Sequence, residues 1–530
     1  MTKVYLKEGV ILEPLFCQWF AWPFLISPST AAIYLRKHYL PMVESFIEEP
    51  ELHLNAVRNP AMRAGSFLNH SGELKLMADF LIYAETALVH LLELSDAIDK
   101  TNKMLIALKG YTSKDIYAQL PVALKGIVEL VYDLNHSPAI RFIEPLLYSS
   151  RFFDPSLQSL RFRSIVEHDR IFTLNTPKFS DLGPIINVPF SSYFVDLIGD
   201  SRFKPIELEE LLNEYPNNLS DCNRLKDLFT EEIPLKLQKR DGVCKDLRIR
   251  YFGHATILFE IGGFSILTDP CISPTMPESV KERLDYADLP DIIDLVLITH
   301  NHQDHVLLDT LLQLRSRIKK IIVPRNGGGF LQDPSLKLML EAIGFKNVVE
   351  IGELEKIKFP TFDVIGIPFF GEHGELSIQS KIGYYITSPL LSVLLLADSD
   401  ALDPELYSIL NNQLGKVDVL FIGMDSVGAP YKWLYGPLYS EPLDHARGTN
   451  RRINGANCQR ALEIVSRVQP KAAYIYAMGV EPWISHITGA NTSSDSAQAI
   501  EALKFVRTCQ SLGIVSELLY WSAEISPINQ

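Results

Sequence analysis

The chain has 530 residues, 47% hydrophobic and 22% charged, with a formal net charge of −14. That length exceeds what a single core serves, so two or three domains are expected, and the composition excludes a disordered chain. The acidic balance speaks against a nucleic-acid partner, which would need a basic surface.

The aromatic-rich opening, Phe16 to Phe24, reads as a piece of core in preference to an oligomer contact. Pro23 interrupts this apolar stretch and no small-residue cleavage site follows, so no signal peptide is expected and the cytoplasm is the expected location. From Glu73 to Lys109 apolar residues recur at helical spacing until Gly110 stops them. A second helix is expected from Pro205 to Tyr215, with Glu207, Glu209 and Glu210 favouring its positive end. The charged stretch from Thr230 to Val243 marks a domain boundary, giving a mixed α+β N-terminal domain over 1–243 and a second domain over 244–530.

After Cys244 the pattern changes. Short β-rich runs at 247–252, 257–261 and 264–268 read as an antiparallel meander. Strands then alternate with helices from Asp294 to Trp521, which predicts an α/β four-layer sandwich, two sheets covered by helices. The apolar run at 390–397 is too short for a membrane span and reads as a buried strand. Six scattered cysteines with no C-x-x-C pair make no disulfide framework, and Cys271 reads as a buried, inert thiol.

The chemistry lies in Thr299-His300-Asn301-His302-Gln303-Asp304-His305, at the end of a strongly apolar strand. Residues two apart on an extended segment point the same way, so His300 and His302 can grip one metal. Asp304 and His305 then fall at the turn into the next helix, displaced toward a second metal. Imidazoles with a hard carboxylate suit zinc, iron or manganese. Asp398, ending the apolar run Leu394–Ala397, is a candidate bridging ligand, with Asp400 a weaker competitor. The loop Pro368–Glu375 offers both Glu372 and His373, which are adjacent and point apart. The late strand Ala472–Ala477 ends without a histidine, and His486 is the nearest substitute.

Together, Gly253-His254-Ala255-Thr256, Thr268-Asp269-Pro270 and His-x-His-x-Asp-His resemble the metallo-β-lactamase superfamily. The resemblance implies an αββα sandwich, with Asp269 supporting the histidines and His254 part of the same motif. The absence of a final histidine and the availability of Glu372 bring the chain closest to the di-iron β-hydroxylase of chloramphenicol biosynthesis and its relatives in nonribosomal peptide pathways. That resemblance implies two irons, with His300, His302 and Glu372 on one, Asp304 and His305 on the other, and Asp398 bridging. Carboxylates in place of imidazoles add hard, negative donors that favour iron in its higher oxidation states.

The same resemblance implies an amino acid tethered as a thioester to a carrier-protein domain, an electron donor, and a homodimer formed through the N-terminal domain. Arg447, Arg451, Arg452 and Arg460 form a candidate docking patch, beside the reading of a solvated polar loop. Tyr431, Trp433, Tyr435 and Tyr439 either wall a substrate channel or pack on one another. The competing reading is a zinc-dependent hydrolase of a phosphodiester, lactone or ester. A scaffold with a vestigial site is disfavoured, because the central motif keeps every ligand-competent residue.

Overall fold

A computed structural model describes residues 2–59, 62, 65–165, 172, 174–180, 183–214, 219–234, 236–237, 242–276, 283–371, 376–424, 428–489 and 495–526. The apolar runs of the C-terminal half form two seven-stranded sheets. In the first, Leu247–Gly253, Thr256–Ile261 and Phe264–Thr268 run antiparallel, and Leu295–Leu297, Ile321–Pro324 and Val348–Ile351 then continue in parallel. In the second, four antiparallel strands from Lys356–Lys358 to Ser392–Leu395 are followed by the parallel strands Val419–Gly423, Ala472–Tyr476 and Val515–Leu518.

Strand alternation decides the layers. Ile257, Phe259 and Ile261 face the second sheet, where Val364, Tyr384, Val393 and Leu395 meet them. The next residues along these strands face outward. Ile365, Leu394 and Leu420 are covered by the helices Glu405–Leu414, Cys458–Val468 and Ala497–Ser511. Leu258, Leu267 and Val296 are covered on the other side by Leu308–Leu314 and Leu336–Ala342. The expected αββα sandwich is present. Two short strands escape a reading of the sequence, Lys356–Lys358 and Ala523–Ile525; both are edge strands with too few residues to show a period.

The first 230 residues combine helices with smaller sheets. Val10–Phe16 pairs antiparallel with Gln158–Ser164. Phe16, Trp19, Phe20, Trp22 and Phe24 are all buried, as the core reading of the opening expects. The periodic stretch 73–109 is two helices, Leu74–Ala87 and Val89–Ala107, which meet where Leu88 leaves helical geometry. The helix expected over 205–215 is shorter, Leu208–Asn213, because Ile206–Glu207 pairs with Lys3–Leu6.

One helix carries an irregularity that bears on the site. Between Pro28–Tyr34 and Leu40–Glu48 the chain forms a π-helix over Leu35–Tyr39, where the Leu40 N–H reaches back to the Leu35 carbonyl. Pro41 supplies the cause: it has no N–H to give the next regular hydrogen bond, so the ladder slips by one residue.

The two parts of the chain are joined by buried polar contacts. Arg315 donates to the Asp196 carboxylate (2.8 Å) and the Ser192 carbonyl (2.8 Å). Glu144 accepts from the Ser335 N–H and from Asn326 Nδ2, both at 2.9 Å. Burial pushes the Glu144 carboxyl up to about 7, against the pull of those two donors. Among the described residues no helix is long and apolar enough to cross a membrane.

Candidate metal centre and the chamber above it

The site sits where strands of both sheets end. Four residues there without glycine's freedom adopt left-handed backbone: His254 (φ +47°), Asp269 (+32°), Ala397 (+46°) and Ala477 (+54°). Backbone of this kind is costly and collects at functional sites. Here each reversal turns the chain sharply as it leaves its strand.

Asp269 is the anchor. Its carboxylate is fully buried and accepts from the Thr299 N–H (2.7 Å) and the Thr299 hydroxyl (2.5 Å). It also accepts from His305 Nδ1 at 2.8 Å. With Nδ1 so occupied, His305 presents Nε2 to the site, the arrangement by which carboxylates orient metal-binding histidines. The Thr299 hydroxyl has given its one proton to Asp269, so at 3.0 Å from His300 Nδ1 it acts as acceptor. His300 therefore also presents Nε2.

Both nitrogens converge on Asp398. His300 Nε2 lies 3.5 Å and His305 Nε2 3.3 Å from Asp398 Oδ2. Among the described residues, the buried atoms His305 Nε2 and Asp398 Oδ1 find no hydrogen-bond partner. Room for the carboxylate comes from Gly423, where a Cβ would stand 2.7 Å from Asp398 Oδ1. Burial alone would depress the His305 imidazole, yet Asp398, Asp269 and Asp304 hold its proton well above the ordinary range. Burial works to raise Asp304, but His305 and His254 hold it below the usual carboxylate range. Three carboxylates around one buried imidazole are an excess of negative charge that metal dications neutralise. The donor set fits hard divalent metals such as iron.

His254 stands beside Asp304, with Nε2 3.4 Å from Asp304 Oδ2. Spacing alone makes it ligand-competent, together with Asp304 and His305. Its Nδ1, however, accepts the Gly479 N–H at 3.2 Å, which leaves the proton of a neutral ring on Nε2. A protonated nitrogen cannot ligate, so we read His254 as a support for Asp304. Glu481 fixes its backbone, accepting from the His254 N–H (2.8 Å) and the Tyr251 hydroxyl (2.7 Å).

His302 is placed differently. Its Nε2 lies 3.0 Å from the Tyr435 hydroxyl, and the two rings stack. Burial lowers its pKa to about 4, so the ring is neutral. With Nε2 engaged by the Tyr435 hydroxyl, a metal on His302 would take Nδ1. Tyr435 is itself fully buried and rests against Phe24.

The other sequence candidates separate. Glu372 and His373 lie outside the described residues. The loop that bears them leaves Gly371, which bridges to Ser399, while the Asp400 N–H bonds to the Phe370 carbonyl (2.9 Å). The loop thus starts beside Asp398. Gly371 needs its left-handed backbone (φ +100°), and a Cβ there would come 2.8 Å from the Asp400 Cβ. Asp400 is turned to Arg460 Nε at 2.6 Å, which removes Asp400 as a candidate bridge and Arg460 as a docking residue. Arg447 pairs with Asp444, and Arg452 donates to the Gly428 carbonyl. His486 packs edge-on against Phe20, outside both metal-competent clusters. Burial pushes the Cys271 thiol up, consistent with an inert role. Of the four aromatics at 431–439, Trp433 lines a chamber over the candidate metal ligands while Tyr435 holds His302.

This chamber is lined by His254, His302, Asp304 and Asp398 below and by Trp22, Tyr34 and Tyr39 from the first part of the chain. Two features had no signal in the sequence: the contact of Tyr435 with His302, 133 positions away, and the π-helical residues, which carry no motif.

Fold and site together define a dinuclear metal protein of the metallo-β-lactamase type. A profile described as the diiron non-heme β-hydroxylase N-terminal domain matches residues 5–233, and a β-lactamase superfamily profile matches 248–442. The 4-amino-L-phenylalanyl carrier-protein 3-hydroxylase of Streptomyces venezuelae is 35% identical over 528 residues, 97% of this chain and 98% of that one. The crystal structure of CmlA, a diiron β-hydroxylase from Streptomyces venezuelae, superposes with a TM-score of 0.91 at 32% identity over 99% of each chain. By contrast, a metal-dependent hydrolase of Saccharolobus solfataricus is 31% identical over 114 residues, 18% of this chain and 48% of its own. The chain belongs to the diiron non-heme β-hydroxylases, oxygenases that carry two irons.

Proposed function

We propose that this β-hydroxylase acts on an aminoacyl group held as a thioester on the carrier domain of a nonribosomal peptide synthetase. The ligand set we infer is His300, His302 and Glu372 on one iron, Asp304 and His305 on the other, with Asp398 between them. The observation that carries the oxygenase reading over the hydrolase lies at the end of Ala472–Tyr476. Where a hydrolase of this fold presents its last histidine, Ala477 and Met478 line the chamber instead.

When bound, the iron pair supplies activation of dioxygen, so that, with electrons from an external donor, one oxygen atom reaches the β-carbon. The protein's own part is to orient and exclude. Asp269 and Thr299 fix His305 and His300, Tyr435 fixes His302, and the apolar walls keep water from the reacting carbon. A cytoplasmic location suits a synthetase partner. The exposed Ile82, Tyr83 and Val89, on neighbouring helices, support a homodimer through the N-terminal part.

Metal content tests the reading. About two irons per chain, and hydroxylation of a carrier-bound amino acid only with oxygen and reductant, are expected. Stoichiometric zinc with anaerobic turnover of an ester would return the protein to the hydrolases. Glu372→Ala should lose one iron and leave the fold intact, while His373→Ala keeps both; the reverse result would exclude Glu372 as a ligand.

A further inference from the structure

The chamber has a volume of about 230 Å³, and its two sides differ in chemistry. Trp22, Tyr34, His38 and Tyr39 form the N-terminal wall, while Met478 stands on the opposite side between Ala477 and Gly479. Among the described lining residues Met478 is the one side chain that carries sulfur. A thioether is too soft a donor for a hard iron pair, so metal binding does not account for it.

Its position is fixed from both neighbours. The Ala477 N–H donates to the His254 carbonyl at 2.8 Å, and the Gly479 N–H donates to His254 Nδ1 at 3.2 Å. His254 in turn stands 3.4 Å from the Asp304 carboxylate. On the other side, the Tyr476 hydroxyl accepts the Ala397 N–H at 3.1 Å, one residue before Asp398. Ala477 and Gly479 both take left-handed backbone (φ +54° and +65°), so the chain folds tightly about Met478. This half-buried side chain is therefore carried on a segment tied to the loops of two candidate ligands, Asp304 and Asp398.

The N-terminal wall is tied elsewhere. Trp22 Nε1 donates to the Tyr39 hydroxyl at 3.2 Å, and the Tyr34 hydroxyl donates to the Leu434 carbonyl at 2.6 Å. Its groups satisfy one another or the backbone, away from the ligand loops.

The family's activity brings dioxygen and electrons into this space. A thioether takes up an oxygen atom through a sulfur lone pair, with no bond to hydrogen broken, and methionine sulfoxide is a common oxidative product. A substrate side chain filling so small a chamber would stand between the reacting oxygen and the wall. We propose that Met478 is an oxidation site of this protein, converted to its sulfoxide when dioxygen meets the reduced protein with the chamber empty. Dioxygen then takes four electrons, two from the reduced iron pair and two from the thioether. The O–O bond breaks and an S–O bond forms; the second oxygen atom leaves as water with two protons from solvent. The sulfoxide is polar where the thioether was apolar, so one turnover without substrate alters the wall until a sulfoxide reductase restores it.

The test uses the full chain loaded with iron, reduced without air, freed of excess reductant and exposed to isotopically labelled dioxygen. Catalase is present and substrate is absent, so the outcome does not depend on the proposed carrier-bound amino acid. Peptide mass spectrometry then reads each methionine. We expect one labelled oxygen on Met478 in most chains, and at least about tenfold less on the exposed Met62. Protein loaded with zinc and treated alike should carry no label. Met478→Leu, a change that nearly conserves volume, should hold the same iron and show no label in that peptide. Unlabelled Met478 in protein whose visible spectrum shows oxidised irons overturns the proposal. So does label on Met62 equal to that on Met478, or equal labelling with zinc in place of iron.

Discussion

His305 and His302, two of the candidate metal ligands, are held in opposite ways. His305 is fixed by Asp269, a buried carboxylate at the end of a sheet strand, tied by Thr299 to the next strand. His302 is fixed by Tyr435, which follows the short helix Tyr431–Leu434, and that segment is itself held by Phe24 and Tyr34 from the first part of the chain. The first arrangement is a property of the sheets and travels with the sandwich. The second also leans on the N-terminal part, so the hold on His302 draws on both parts of the chain.

That contrast can be broken at graded strengths. Asp398→Ala removes the carboxylate that both sides share, and iron content should fall below one per chain, read by elemental analysis after desalting. Asp269→Asn attacks only the sheet-held side. Loss of such an orienting carboxylate typically costs about 10–100-fold in metal affinity, measurable by competition with a chelator. Tyr435→Phe attacks only the hold on His302 and removes one hydrogen bond, of about 1 kcal/mol. Iron retention should drop by no more than about tenfold, with the visible spectrum changed and the secondary structure intact. An equal loss from Asp269→Asn and Tyr435→Phe would erase the distinction.

A separate effect, on stability and not on metal content, concerns how the two parts are joined. The Glu144 carboxyl is raised from 4.5 to about 7 by burial between them. A carboxyl raised on folding leaves stability highest while it is protonated and lowers it as the pH climbs from about 4.5 to about 7. The span corresponds to about 3 kcal/mol. Glu144→Gln should flatten that slope in urea unfolding while leaving metal content unchanged. A wild-type protein with no such slope would show that Glu144 is not desolvated as placed.

Much of this was legible because period and motif act locally. The strands around Ile257–Ile261 and Leu394–Leu395 announce themselves by apolar content, and His300 through His305 lie within six residues. Asp398 follows its strand closely enough to be picked out as a candidate, while Arg460, which engages its competitor Asp400, is 60 positions away and could not be foreseen. The resemblance to the di-iron β-hydroxylases supplied the expectation of two irons and of a carrier-bound substrate, which no periodicity encodes. What stayed hidden depends on tertiary approach: the Tyr435 contact, the Gly479 N–H that decides the tautomer of His254, and the chamber wall. Leu88, which splits one apolar rhythm into two helices, shows the same limit within the backbone.

The irregular turn at Leu35–Tyr39 has an evolutionary consequence. Deleting a single residue there would restore ordinary helical registry and swing His38 away from the cavity, with every metal ligand left in place. One residue more or less at this turn would therefore change which side chains face the cavity without touching a candidate metal ligand, so this wall can vary between relatives in chain length as well as in residue identity.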